Sequence, residues 1–200
     1  MRRFTLFAFL AVAPACSFQV PVEATTAGAV MVMPNRVSNM PIQLSLLVQG
    51  STGTSIIRAT GIDCTENVYQ LSLNESVHAS LRISTSAAFP AMQVSQNAET
   101  HSGQVRRIII QFERPTARLS FLPGLWQYTA LANVEVAANV TVVASSGQEM
   151  YRGFIIGTGS EETPGYCPAG AQALGAAASN AIRRLAQDYV SKIINSGVVQ

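Results

Sequence analysis

Side-chain alternation through the second half of the chain, followed by a long amphipathic stripe, predicts an α+β fold. The expected architecture is an antiparallel sheet with a helix in the first half and a long C-terminal amphipathic helix packed on one face. Val134, Val136, Ala138, Val140 and Val142 alternate with Glu135, Ala137, Asn139, Thr141 and Val143, a period of two that gives a strand over 127–144 one buried face. Ser145-Ser146-Gly147 turns the chain, and Met150, Arg152, Phe154 and Ile156 alternate on the return, so the stretch to Gly157 reads as an antiparallel hairpin. Leu174, Ala178, Ile182, Leu185, Tyr189 and Ile193 then share one helical stripe, with Arg183, Arg184, Gln187, Asp188 and Lys192 opposite.

At the N-terminus, Arg2 and Arg3 precede an apolar run from Phe4 to Ala13, and Ala13-Pro14-Ala15 leads into Cys16. A basic start, a short apolar run and a small-residue exit make residues 1–15 a secretory signal peptide, too short to span a bilayer as a mature helix. A cysteine directly after the small residues resembles a lipobox, whose cysteine is lipidated and becomes the mature N-terminus. The same residues also form an A-x-A site for ordinary signal peptidase, which would release a soluble protein starting at Cys16. Ala13 and Pro14 stand where a lipobox usually carries Leu and a small non-proline residue. Ser17 rather than Asp follows the cysteine, which resembles the rule that sorts lipoproteins to the outer membrane. Residues 16–39, interrupted by Pro21, Gly28 and Pro34, read as the lipidated cysteine and a flexible tether, and residues 40–200 as a single α+β domain.

Within that domain, Ile42, Leu44, Leu46 and Val48 alternate as a strand, and residues 50–54 close it as a Gly-containing loop. A second short strand fits 55–60. Residues 68–89 carry two patterns. Tyr69, Leu71 and Leu73 alternate as in a strand, whereas Ser72-Leu73-Asn74-Glu75 is a capping-box pattern that opens a helix over about 74–87. Leu73, Val77, Leu81, Ser84 and Ala88 would then share its buried face. The β-rich run 105–113 reads as a central strand, residues 118–122 follow it, and Pro123-Gly124 is a turn signal. Residues 157–167 read as a loop, and Pro168 suits the first turn of a helix over about 169–195, with Gly197 as its stop.

There are three cysteines. If Cys16 carries lipid, Cys64 and Cys167 remain, and an oxidising compartment favours pairing them. Cys64 precedes the first helix and Cys167 the last, so helices on one face of a sheet would start near each other and bring the two together. Two buried, unpaired cysteines are the alternative.

Charged residues make up 12% of the chain and the net charge is +2, without a basic stripe interleaved with aromatics, so nucleic acid is not an expected partner. His78 and His101 lack metal-ligand spacing, and no nucleophile elbow, P-loop or dinucleotide fingerprint is present. Glu161 and Glu162 are adjacent, which suits a solvated pair better than an acid/base pair. The expectation is a protein without catalytic residues, metal site or cofactor.

The sequence Ala15-Cys16-Ser17, the hairpin between Val134 and Ile156, and the Ala-rich helix ending Ala181-Ile182-Arg183-Arg184-Leu185 resemble the YajG-like outer-membrane lipoproteins. The start Cys16-Ser17-Phe18-Gln19-Val20 is also similar to the lipopolysaccharide-assembly lipoprotein family, with Ser17 and Val20 in place of that family's usual Gly and Leu. Both resemblances imply a periplasm-facing α+β module that binds or assists without catalysis. The expected function is therefore a lipoprotein anchored through Cys16 on the periplasmic face of the outer membrane, serving as a binding or assembly module with an envelope protein as partner. A soluble or anchored carrier of an apolar ligand would need a sizeable apolar cavity. A secreted enzyme would need a cleft joining His78 or His101 to Glu161 or Glu162.

Overall fold

The computed structural model describes residues 16–23, 44–50, 53–61, 64–89, 93–94 and 105–199. In chain order the elements are β1 (Ser17–Gln19), β2 (Leu44–Gln49), β3 (Thr54–Arg58), β4 (Thr60–Gly61), β5 (Val68–Ser72), α1 (Asn74–Ala88), β6 (Gln93–Val94), β7 (Arg106–Phe112), β8 (Thr116–Leu122), β9 (Thr129–Val143), β10 (Glu149–Pro164) and α2 (Cys167–Tyr189), with a π-helical turn at Val190–Ile194. The class is α+β, and most of the strand pairing is antiparallel.

β9 is the axis of the larger sheet. Along one side it pairs antiparallel with β10 over its whole length, from Val143 opposite Glu149 to Thr129 opposite Pro164. Its other side is shared end to end by two strands. β8 covers Thr129 to Glu135 and β7 covers Ala138 to Val143. Beyond β7 lie β2 and then β6, and beyond β8 lies β4. A second sheet of three strands has β5 at its centre, flanked by β1 and β3.

Two features of this arrangement add to the expected antiparallel sheet. Among the described residues the strands form two sheets, and four pairings are parallel: β1 with β5, β2 with β6, β2 with β7, and β4 with β8. A parallel pair needs a crossover rather than a hairpin, and the route from β2 to β7 runs through the second sheet and α1. β2 is consequently buried on both faces, with Ser45, Leu46 and Leu47 all covered.

The segment expected as a loop after Gly157 instead continues the strand to Pro164. Gly157 and Gly159 serve there as contact points for α2. A Cβ on Gly157 would strike the Ala181 carbonyl oxygen, and one on Gly159 would strike that of Ala177. The missing side chains let the helix backbone lie against the strand. On the helix side Ala173, Ala177, Ala178 and Ala181 are fully buried, together with the expected stripe Leu174, Ile182, Leu185, Tyr189 and Ile193.

α1 starts at Asn74, as its pattern predicts, but without the capping box. Ser72 ends β5, Leu73 precedes the helix, and no side chain caps it. Strand and helix readings of 68–89 each hold for part of the stretch. Leu73, Val77, Leu81, Ser84 and Ala88 are buried as expected. Ser80, Ser84 and Thr85 return their hydroxyls to carbonyls one turn back, which lets a polar face sit inside the core. Thr85 also shares a 2.8 Å hydrogen bond with the Tyr189 hydroxyl, joining α1 to α2.

The expected tether does not begin at Cys16. Ser17–Gln19 forms β1, parallel to Val68–Gln70, and Val20 is buried. Pairing to β5 and stacking of Phe18 on Tyr69 hold this segment, with ring centroids 5.2 Å apart. The segment expected as a signal peptide, 1–15, and the rest of the expected tether, 24–39, lie outside the described residues. Among the described residues no helix is long and apolar enough to cross a membrane.

Candidate functional site at the Cys16 edge

Cys16 is exposed and carries a free thiol. Its carbonyl accepts a hydrogen bond from the Val68 amide at 3.1 Å, which fixes it at the start of β5. The following residues stay docked. The Val20 amide donates to the Gln70 carbonyl at 3.0 Å, the Ser76 hydroxyl donates to the Val22 carbonyl, and the Glu23 amide donates to the Ser179 hydroxyl. Residues 16–23 thus run from the smaller sheet across to both helices.

Cys64 and Cys167 are bonded to each other, with Cα atoms 5.4 Å apart. The bond joins the turn before β5 to the first residue of α2, the two helix approaches expected to meet. Beside it, the Tyr69 hydroxyl donates to the Cys167 carbonyl at 2.8 Å. Burial pushes the Tyr69 phenol up to about 12.

The same edge gathers more of the chain. The Asn67 amide bonds the Cys64 carbonyl, placing that turn next to Val68 and so next to Cys16. Gly61, the end of β4, lies opposite Phe121 near the end of β8. Leu122 and Pro164 flank Thr129 on its two sides. The Gly165 amide bonds the Tyr128 carbonyl, and the Tyr128 and Tyr166 rings meet edge-on at 6.2 Å. Between Leu122 and Tyr128 the chain makes its β8–β9 turn, and there Leu125 and Trp126 are 96% and 92% exposed. Tyr166 at 64% and Leu122 at 50% extend this apolar rim.

That rim was not foreseen from the sequence, where Pro123-Gly124 signals only a turn. The available signal was Leu125-Trp126 itself, because two large apolar residues directly after a turn have no core to enter.

Among the described residues, His78 and Glu161 are not joined in a cleft of the kind an enzyme reading would need. His78 sits on α1 with its ring stacked on Phe112 at 6.3 Å, its Nε2 buried without a hydrogen-bond partner and its pKa lowered by burial. Phe112 lies opposite Ala138 on β9, whereas Glu161 lies opposite Ala132. Six residues of strand separate those positions, about 20 Å. His101 lies outside the described residues. Among the described residues no group of three or more His, Cys, Asp or Glu side chains is placed to hold a metal ion.

One groove of about 590 Å³ opens where β8, β9 and β10 meet α2. Arg118, Asn133, Glu135, Ser160 and Arg184 line it. Its wall mixes polar and apolar surface and carries charged side chains, unlike the mainly apolar cavity that a carrier would need.

No protein-family model matches the sequence, and no curated protein matches it. Among solved structures, the fold is similar to a minor lipoprotein from Acinetobacter baumannii at 12% identity, TM-score 0.38, covering 78% of this chain and 91% of that one. It is also similar to a Helicobacter pylori protein described as a homolog of a neuraminyllactose-binding hemagglutinin, at 11% identity, TM-score 0.46, covering 88% and 94%. An uncharacterized protein aligns at 12% identity and TM-score 0.32, covering 92% and 97%. Superpositions this loose establish neither a family nor an activity.

Proposed function

We propose that this chain is a bacterial lipoprotein, lipidated at Cys16, whose domain serves as a non-catalytic binding or assembly module on the periplasmic face of the outer membrane. The observation that carries the reading is the division of labour among the cysteines. Cys64 and Cys167 are used up in a disulfide, and Cys16 alone stays free and exposed, directly after a signal-like segment. A disulfide suits an exported protein, and lipid on Cys16 would leave no odd thiol in an oxidising compartment. The resemblance to the YajG-like lipoproteins favours the outer membrane, as does Ser17 after the cysteine. An envelope protein is the proposed partner.

The test is fractionation of the full chain. Several acyl chains hold a protein firmly where one holds it marginally. Wild type should sediment with membranes, carry a lipid mass on Cys16, and move to the soluble fraction as Cys16→Ala. A soluble wild type with an unmodified Cys16 would overturn the proposal.

A further inference from the structure

The apolar rim at the Cys16 edge has no role in the core. Leu125 and Trp126 are almost fully exposed, and Leu122 and Tyr166 are at least half so. Soluble surfaces carry single apolar side chains freely, but a cluster on one edge marks something it meets. Its place identifies the occupant. The β8–β9 turn, the Tyr128–Tyr166 pair, the Cys64–Cys167 bond and Cys16 follow one another along a single edge, each linked to the next by a hydrogen bond, ring contact or covalent bond. Because Ser17 is already paired in β1, Cys16 is joined to the rim through folded elements and not through a free segment. A bilayer that holds Cys16 lies against that edge.

We infer that Leu122, Leu125, Trp126 and Tyr166 form a second membrane contact that enters the interfacial zone of the bilayer beside the lipid on Cys16. This rests on the lipidation reading. The chemistry suits the zone: Trp and Tyr pair an apolar ring with a polar tip, and both concentrate where hydrocarbon meets headgroups. An acyl anchor and an apolar wedge on one edge would act as two signals rather than one.

Trp126 is the sole tryptophan, so its fluorescence reports this loop and nothing else. The full chain, purified from envelopes in detergent, is reconstituted into phosphatidylethanolamine–phosphatidylglycerol vesicles with and without brominated lipids. Its Cys16→Ala form in buffer gives the exposed reference. The expected result is a blue shift of Trp126 emission in vesicles and loss of most of that emission to bromines placed near the headgroups. Emission matching the reference, from protein that floats with vesicles and carries lipid on Cys16, would overturn the inference and leave the anchor intact. Should mass spectrometry find Cys16 bare, the anchor reading fails, and the emission with vesicles still decides the loop: shifted and quenched supports it, unshifted rejects it. A blue shift without quenching would assign the rim to a second copy or another protein and overturn the inference. Leu125 and Tyr166 lie outside the core, so Leu125→Ser with Tyr166→Ser should fold normally and weaken the quenching.

Discussion

Two buried tyrosines tie distant parts of the chain together, and both favour their neutral form. Tyr69 bonds the Cys167 carbonyl, and Tyr189 bonds the Thr85 hydroxyl. Burial raises both phenols above their ordinary value of 10.0, Tyr69 to about 12 and Tyr189 further. A pKa higher in the folded state than in the unfolded one means that the fold holds its proton longer. Their contribution is then complete below about pH 10 and is lost as pH rises through the folded-state values. The denaturation midpoint should therefore fall steeply above about pH 10, and the double variant Tyr69→Phe, Tyr189→Phe should flatten that fall. An unchanged alkaline slope would reject the assignment. At neutral pH each single variant should cost about 0.5–1.5 kcal/mol. Tyr189→Phe belongs at the lower end, because Thr85 keeps its 2.8 Å bond to the Leu81 carbonyl. Tyr189 was legible in the sequence as part of a helical stripe. Tyr69 was legible only as a strand residue, since its partner lies 98 positions away.

Among the elements, the β9–β10 hairpin and α2 were legible because their patterns are long and local. The C-terminal half of β10 was not. Gly157, Gly159 and Pro164 signal a loop by composition, while their use depends on a helix that follows in sequence. α2 and the π-helical turn after it also protect this outer strand: the Ile156 amide donates to Asp188, and Lys192 donates to the Phe154 carbonyl at 3.0 Å. Those side chains occupy backbone groups that would otherwise invite another strand. The polar side of this C-terminal helical segment thus has a task beyond meeting water, which helical periodicity alone does not reveal. Gly157→Val or Gly159→Val would force α2 off β10. Overpacking of this kind costs about 1–3 kcal/mol and more when the obstacle is backbone, and a lowered thermal midpoint with normal cysteine pairing is the expected readout. Equal stability of both variants would show that the helix does not approach so closely.

At the scale of the whole molecule, the Cys64–Cys167 bond spans 103 positions and ties the smaller sheet to α2. The chain-entropy model assigns a loop of that size roughly 4–5 kcal/mol. Reduction, or Cys64→Ser with Cys167→Ser, should lower the melting temperature clearly, and an unshifted melt would contradict the bond's structural role. Cysteine count and the two helix starts made this pairing legible in the sequence. The parallel pairings were not, because β2 meets β7 some sixty positions later and nothing local in either strand encodes its direction. β1 was missed for a related reason: three residues carry no period, and their partner strand lies about fifty positions on.

The early start of β1 also sets how far the domain can travel. A flexible segment of the expected length would let it roam roughly 25–30 Å from its point of attachment. Here the leash is a single peptide unit, about 3.8 Å, because Ser17 is already part of the fold. Held at Cys16, the domain could neither tumble nor reach outward. It would keep one face down, carry the Arg118–Arg184 groove at a fixed height, and meet only partners that come to it in the plane of the membrane.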